Sequence, residues 1–143
     1  YAEQIVKKHK KWIETIGAQC LFPVPIHRER YRKRGYNQAK IIADEIGNRV
    51  ELPVIDNFIE RNKNTEALKN LSEAKRRECL KDAFFVSETS ELLYRDLRCV
   101  ILVDDIYTTG STINECAAAL KRAGVKKIYF LCACIGKDDQ GGE

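Results

Sequence analysis

The stretch that decides the fold is Cys99–Thr112, which reads Cys-Val-Ile-Leu-Val-Asp-Asp-Ile-Tyr-Thr-Thr-Gly-Ser-Thr. It opens with an unbroken apolar run, Cys99–Val103, which predicts a strand that is buried on both faces. Two adjacent carboxylates follow, and then a run of small hydroxyl-bearing residues around one glycine. Beyond this run the apolar residues fall at helical spacing, which predicts a helix that ends at Gly124.

A strand that leads through acidic residues and a small-residue loop into a helix can bind a phosphorylated ligand. Backbone N–H groups at a helix N-terminus lack intrahelical partners and favour an anion, and Gly110 lets the backbone approach closely. The side chains that can add hydroxyl donors are Thr108, Thr109, Ser111 and Thr112. Asp104 and Asp105 would repel a phosphate, so they suit sugar hydroxyls or a metal ion beside it. The alternative is an ordinary strand-to-helix turn with a capping residue.

Two common nucleotide-binding patterns do not occur in the sequence. There is no Gly-x-x-x-x-Gly-Lys and no Gly-x-Gly-x-x-Gly, which disfavours a P-loop ATPase and a dinucleotide site. The stretch instead resembles the signature of type I phosphoribosyltransferases, in which a hydrophobic run leads into Asp-Asp and then Thr-Thr-Gly-Ser/Ala-Thr. The resemblance implies that Asp104 and Asp105 hold the ribose hydroxyls of phosphoribosyl pyrophosphate (PRPP). It also implies that Thr108–Thr112 hold the 5′-phosphate.

A dense basic segment lies between a predicted strand near residues 19–24 and a predicted helix that starts at Asn37-Gln38 and is capped by Gly47. We predict that it forms a loop that binds a phosphate-rich ligand or a nucleic-acid backbone, or is simply solvated. Its basic residues are His27, Arg28, Arg30, Arg32, Lys33 and Arg34, with Tyr31 and Tyr36 interleaved. Val24–Gln38 resembles the corresponding segment of the ComF branch of phosphoribosyltransferases. The resemblance implies pyrophosphate contact through Arg34, Gly35, Asn37 and Gln38.

A polar region near residues 61–82 separates predicted strands at 53–59 and 83–86. Ser72 is a predicted N-cap of a short helix that runs through Leu80. The resemblance implies that this region is a mobile flap that closes over the pyrophosphate, with Arg76 and Arg77 as candidate cations. The sequence departs from the ComF pattern at three positions of this flap, which are Leu68, Cys79 and Asp82.

The composition fits a globular domain, with 143 residues, 44% hydrophobic residues and 32% charged ones. No apolar run is long enough for a membrane span and no signal peptide is evident, so we expect a cytoplasmic protein. The chain begins with Tyr1 rather than Met, which favours a piece of a longer protein. A net charge of +4 is explained as well by an anionic small molecule as by nucleic acid.

The N-terminal residues 1–16 predict a helix that ends at Gly17 and presents a lysine cluster, which is either a solvated face or a nucleic-acid contact. The cluster comprises Lys7, Lys8, Lys10 and Lys11.

We expect the six cysteines to be reduced thiols rather than disulfides or metal ligands, with Cys132 and Cys134 packed in the core of a last strand near 125–134. Residues 137–143 are expected to form a frayed polar tail. The four-cysteine zinc ribbon that is usual in ComF relatives has no counterpart in this sequence.

These patterns predict a single α/β domain over residues 1–143, with a mostly parallel twisted sheet and helices on both faces. The predicted strands lie near 19–24, 53–59, 83–86, 99–104 and 125–134.

The first hypothesis is an enzyme that transfers a phosphoribosyl group from PRPP to a base or amine, with Mg²⁺ bound mainly through PRPP and also by Asp104 and Asp105. The second is a non-catalytic competence-associated protein that binds PRPP, a nucleotide or single-stranded DNA, or that associates with other competence proteins. Tyr31 and Tyr36 could then stack on bases. A homodimer is compatible with both hypotheses, and the acceptor is not readable from the sequence.

Overall fold

The computed structural model describes residues 2–26, 28–62, 71–107 and 109–135, and within them the side chains of all but residues 28–30, 79, 80 and 135. The helices are α1 (Ala2–Thr15), α2 (Arg28–Arg34), α3 (Gln38–Val50), α4 (Glu73–Leu80), α5 (Glu88–Leu93) and α6 (Ser111–Arg122). The strands are β1 (Cys20–Pro23), β2 (Ile59–Arg61), β3 (Phe84–Val86), β4 (Cys99–Tyr107) and β5 (Lys127–Ile135). The predicted tail at 137–143 lies outside the described residues.

The main sheet has three parallel strands in the order β1-β4-β5, with Cys20 opposite Val100 and Cys99 opposite Lys127. Its central position explains the apolar character of β4, since both faces of a central parallel strand are covered. Strands β2 and β3 form a separate antiparallel pair. The predicted α/β class with a parallel sheet is confirmed.

Helices cover both faces of this sheet, and each face has its own hydrophobic cluster. On one face α1 and α3 pack against the sheet through Ile13, Ile42, Ile46, Leu21, Ile101, Val103 and Leu131. The other face is covered by α6, by β3 and by the residue before β2. The side chains Cys116, Leu120, Phe84 and Phe58 pack there against Phe22, Val100 and Leu102. The Phe22 and Phe58 rings stack with centroids 4.8 Å apart, which holds the β2 region against the sheet.

Three local predictions are wrong. The strand predicted at residues 53–59 does not form: Val54 makes an isolated bridge with Leu21, bends follow, and only Ile59 belongs to a strand, as the first residue of β2. The segment before Asn37 is helix α2 rather than a loop. Gly47 does not cap α3, which continues to Val50 and ends at Glu51 in the left-handed conformation.

Gly47 lies inside α3 for a packing reason, and its replacement by alanine is expected to destabilise the fold. A Cβ there would lie 2.7 Å from the carbonyl oxygen of Leu52 and 2.9 Å from Cγ2 of Val54. We expect Gly47→Ala to lower the free energy of unfolding by about 1–3 kcal/mol through overpacking, although alanine favours helices. Urea denaturation measures this change. Asn48→Ala, at the next and exposed position of the same helix, is the control and should not destabilise. A Gly47→Ala protein as stable as this control would contradict the packing explanation.

Within the described part of the chain, no helix combines the length and apolar character that crossing a membrane requires.

Candidate functional site

The two predicted acids lie in the last part of β4, which continues three residues beyond its predicted end at Asp104 to Tyr107. Both side chains are half-buried. The backbone N–H of Asp105 donates to Oδ1 of Asp104 at 2.8 Å, and the N–H of Ile106 donates to Oδ1 of Asp105 at 3.0 Å. These bonds fix both carboxyl groups at the carboxyl end of the central strand, where open α/β sheets bind ligands.

The surroundings of Asp104 favour its protonated form. Burial raises the pKa of Asp104 to about 8, and the hydrogen bond and negative charge of Asp105 act in the same direction. The backbone hydrogen bond from Asp105 and the positive charge of Arg61 oppose this shift. A carboxyl and a carboxylate side by side can both donate and accept hydrogen bonds, which suits a pair of neighbouring hydroxyl groups.

This raised pKa predicts a pH-dependent effect of Asp104→Asn. Above the pKa of an unfolded aspartate, near 3.9, and up to the folded pKa of about 8, folded Asp104 holds a proton that the unfolded chain releases. The contribution of Asp104 to stability therefore falls as the pH rises through this window. We therefore compare the stability of Asp104→Asn with that of the unchanged protein at two pH values, by urea midpoints. The difference should favour the variant more at pH 8 than at pH 5. Glu88→Gln, at an exposed acid of α5, is the control, and an equal offset at both pH values for Asp104→Asn would contradict the prediction.

The loop after β4 turns sharply at Gly110, which has φ +80° and precedes α6 directly. A Cβ at this position would lie 2.7 Å from the hydroxyl oxygen of Tyr107, so glycine is required by both conformation and space. The hydroxyl groups of Thr109 and Ser111 are 2.8 Å apart, and the backbone N–H of Ser111 donates to Oγ1 of Thr109 at 3.3 Å. Thr112 is half-buried in the first turn of α6, whereas Thr108 lies outside the described residues.

The second predicted loop leaves the same end of the sheet. The backbone N–H of Val24, just after β1, donates to the carbonyl of Val103 next to the acids. The Asn37 side chain caps α3 by accepting from the N–H of Ala39, and its Nδ2 donates to the carbonyl of Val24 at 3.1 Å. These bonds hold Asn37 near the strand end that carries Asp104 and Asp105. Both polar groups of the Asn37 side chain are therefore hydrogen-bonded to the backbone.

The other residues of this predicted pyrophosphate segment are open to solvent to different degrees. Arg34 is exposed at the end of α2, and Gly35 turns the chain with φ +78° while its N–H donates to the carbonyl of Tyr31 at 2.7 Å. Gln38 is half-buried at the start of α3. Arg34 is therefore a cation of this segment that can reach a ligand in solvent.

The predicted flap is described only in part, and Leu68 lies outside the described residues, as does the side chain of Cys79. Ser72 caps α4 as predicted by accepting from the N–H of Lys75. Helix α4 packs against α6, the helix that begins at the phosphate-loop residues. Arg76 donates to the carbonyl of Leu71, and Arg77 is paired with Glu73 one helical turn earlier. Asp82 adopts a left-handed conformation with φ 60° where glycine is usual in ComF relatives.

Comparison with known proteins decides the family. The phosphoribosyl transferase domain family matches residues 32–142, which include every residue that the first hypothesis assigns to PRPP. The chain belongs to the phosphoribosyltransferase domain family. This phosphoribosyltransferase domain is 38% identical over 111 residues to Competence protein F of Haemophilus influenzae, a match that covers 77% of this chain and 47% of the relative. The resemblance to ComF proteins is confirmed.

Further relatives carry related names. The DNA utilization protein YhgH of Escherichia coli O157:H7 is 32% identical over 123 residues, covering 84% of this phosphoribosyltransferase domain and 52% of the relative. Competence protein ComFC of Streptococcus pneumoniae is 27% identical over 128 residues, a match that covers 90% of this chain and 50% of the relative. The domain thus spans about half the length of the curated relatives it matches. A purine phosphoribosyltransferase structure from Pyrococcus horikoshii aligns with 15% identity and a TM-score of 0.44, covering 95% of this chain and 79% of that one.

One further residue of this phosphoribosyltransferase domain, Arg61, lies near the acids and was not predicted as a site residue. The positive charge of Arg61 acts on Asp104, and its guanidinium lies 5.0 Å from the centroid of the Phe84 ring. Arg61 reaches this position because the β2–β3 pair packs on α6, which is a contact between distant parts of the chain.

In the part of the chain that the structure describes, Cys20, Cys99, Cys116, Cys132 and Cys134 are free thiols. The prediction of core packing is wrong for Cys134, which is exposed near the end of β5. Its Sγ lies 3.5 Å from the carbonyl oxygen of Asp105. Cys132 is half-buried. Among the described residues, no group of three or more His, Cys, Asp or Glu side chains could hold a metal ion. A divalent cation here would therefore need oxygen ligands from a bound phosphate in addition to the two acids.

Proposed function

We propose that this chain binds PRPP with Mg²⁺ and transfers its phosphoribosyl group to a nitrogen nucleophile, with release of pyrophosphate. The observation that carries the proposal is the sequence of groups at the end of β4: two half-buried acids, then Gly110 in the left-handed conformation, then the first turn of α6. Sugar hydroxyls and a phosphate lie next to each other in a pentose phosphate, and these groups recognise them in the same order.

In this proposal the residues bind and orient PRPP. Asp104 and Asp105 hold the ribose hydroxyls, and the 5′-phosphate is held by Thr108, Thr109, Gly110, Ser111 and Thr112. Fixing both ends of the pentose phosphate orients C1, so the bond from C1 to the pyrophosphate oxygen can break while the bond to nitrogen forms.

The pyrophosphate is assigned to the segment that adjoins the acids from β1. Arg34 supplies positive charge, Gly35 lets the chain turn, and Gln38 supplies a side-chain donor. Asn37 fixes the segment by its bonds to Val24 and Ala39. Arg76 and Arg77 approach from α4 as part of the proposed flap. Asp104 and Asp105, together with the phosphates of PRPP, would hold Mg²⁺, and the ion would neutralise negative charge on the leaving pyrophosphate.

The test is a calorimetric titration of PRPP in the presence and absence of Mg²⁺, followed by a screen for pyrophosphate release. We expect saturable binding in the micromolar range that weakens when Mg²⁺ is withheld, and release with at least one member of a panel of nucleobases and simple amines. No PRPP binding at millimolar concentration would overturn the proposal. Binding without release across the panel would favour a sensor of PRPP over an enzyme.

A second candidate function is binding of single-stranded DNA. Tyr31 and Tyr36 are 51% and 46% exposed in and just after the basic helix α2, and exposed aromatic rings among cations suit stacking on bases. The lysines of α1 are also exposed. This activity would appear as binding of an oligodeoxynucleotide with a steep dependence on salt that Tyr31→Ala weakens and substitution of the two acids does not. Binding without salt dependence would count against it.

A further inference from the structure

Helix α5 presents its two leucines to solvent and a serine to the interior. Ser90 is buried, and its hydroxyl oxygen lies 3.0 Å from that of Ser87. Leu92 and Leu93, by contrast, are 73% and 71% exposed, which makes them the most exposed large hydrophobic residues among the described side chains. Two adjacent leucines that remain in water favour burial against another surface.

The segment that carries the leucines is anchored on both sides of them. Ser87 caps α5 by accepting from the N–H of Ser90 at 3.1 Å. Beyond the helix, the Tyr94 ring packs edge-on against Phe58 with centroids 5.6 Å apart, and Leu97 packs half-buried against the same hydrophobic cluster. A partner that covers the leucines therefore meets an element that is already ordered, which lowers the cost of association.

The charges beside the leucines change sign along the chain. The exposed acids Glu88 and Glu91 precede the leucines, and the exposed arginines Arg95 and Arg98 follow them together with one acid, Asp96. A nucleic acid or an anionic membrane would favour a surface that is basic throughout, as the exposed lysine face of α1 is. The leucine surface instead suits a protein that carries the same two signs in the opposite order.

A second copy of α5 has this complementary order of charges. In a two-fold symmetric contact the same surface meets itself with its direction reversed, so the acidic side of one copy faces the basic side of the other. An axis that passes beside Leu92 and Leu93 would bring the leucines of both copies together. It would also bring Glu91 of each copy near Arg95 of the other.

Such a contact leaves the two acids of β4 open. The carbonyl oxygen of Arg98 accepts from the N–H groups of Lys126 and Lys127, which places the end of the α5 segment at the amino end of the parallel sheet. Asp104 lies five residues farther along β4 than Cys99, which corresponds to about 17 Å toward the opposite end of the strand.

We propose that two copies of this chain associate about a two-fold axis at α5, with Leu92 and Leu93 in the centre of the contact and Glu91 of each copy beside Arg95 of the other. The inference goes beyond the proposed function, because this association requires neither PRPP nor the two acids.

Sedimentation velocity of the whole chain at about 1–500 μM tests the association. We expect a monomer–dimer equilibrium with a dissociation constant of about 10–100 μM, as a small contact gives. Leu92→Glu should weaken it at least about tenfold, because two like charges would then meet at the axis. Ile41→Glu, at a 42% exposed position of α3, is the control and should associate as the unchanged protein does. A monomer at every concentration, or an equal loss in both variants, would overturn the proposal.

Exchange of charges tests the two-fold arrangement itself. Glu91→Arg and Arg95→Glu should each weaken association, since each sets like charges against each other, and the double variant Glu91→Arg/Arg95→Glu should restore it to within about threefold. Thermal melts establish that all variants are folded. A double variant as weak as the single ones would contradict the arrangement. A dimer that persists in Leu92→Glu would place the contact on another surface, such as the outer edge of β5.

The association and the proposed function can fail independently. The Asp104→Asn/Asp105→Asn variant should dimerise as the unchanged protein does, whatever it does with PRPP. Loss of the dimer in this variant would show that the contact lies at the acids and not at α5.

Discussion

Replacing both acids, Asp104→Asn/Asp105→Asn, is expected to lower the affinity for PRPP about 100-fold or more while the protein stays folded. A bond from a ribose hydroxyl to a charged carboxylate contributes roughly 1.5–3 kcal/mol, and a bond to the protonated acid of the pair roughly 0.5–1.5 kcal/mol. The loss of both therefore corresponds to about two orders of magnitude in affinity. Calorimetric titration with PRPP and Mg²⁺ measures the change.

The control for this variant makes the same two acid-to-amide changes at another place. Glu88→Gln/Glu91→Gln removes two exposed acids from α5 and should bind PRPP as the unchanged protein does. If the control loses affinity as well, net charge rather than the site explains the result. If the Asp104→Asn/Asp105→Asn variant binds PRPP normally, the assignment of these acids to the ribose is wrong.

Gly110→Ala is expected to weaken PRPP binding about 10- to 100-fold and also to destabilise the protein. A methyl group there would lie 2.7 Å from the Tyr107 hydroxyl and 3.1 Å from Cζ, so the ring or the loop must move. A displacement of about 1 Å in groups that position a ligand can cost two orders of magnitude. Calorimetry and urea denaturation measure the two effects separately.

Gly124→Ala is the matched control for backbone strain. Gly124 has φ +100° after α6, and a Cβ there would meet nothing within 4 Å. Both variants should lose about 1–2 kcal/mol of stability, because an alanine is strained at positive φ. PRPP affinity should fall in Gly110→Ala alone. Equal PRPP affinity in the two variants would show that the space beside Tyr107 does not matter.

The sequence predicted the elements that carry their own signals. β4 is a long apolar run, α6 has apolar residues at helical spacing, and Ser72 is a capping residue in front of a helix, and all three appear as predicted. The order of the acids, the glycine and the helix start could be predicted for the same reason, since those residues are adjacent along the chain.

The errors arose where a distant contact decides the structure. Leu52 and Val54 crowd Gly47, so a glycine that resembles a helix cap is instead a site of close packing inside α3. Residues 53–59 have the apolar content of a strand, but within this segment only Val54 pairs with β1. The approach of Arg61 to Asp104 likewise depends on how the β2–β3 pair docks on α6. No local pattern encodes such contacts.

The uneven burial of the thiols has a practical consequence for labelling. Burial raises the pKa of Cys20 and of Cys132 to about 12 and that of Cys116 still further, so these sulfurs react slowly with alkylating reagents at neutral pH. Cys134, by contrast, is open to solvent and sits beside the main-chain carbonyl of Asp105. Among the cysteines described, a maleimide dye would therefore attach first at Cys134, and its emission would follow events at the carboxyl end of β4 without any engineered residue.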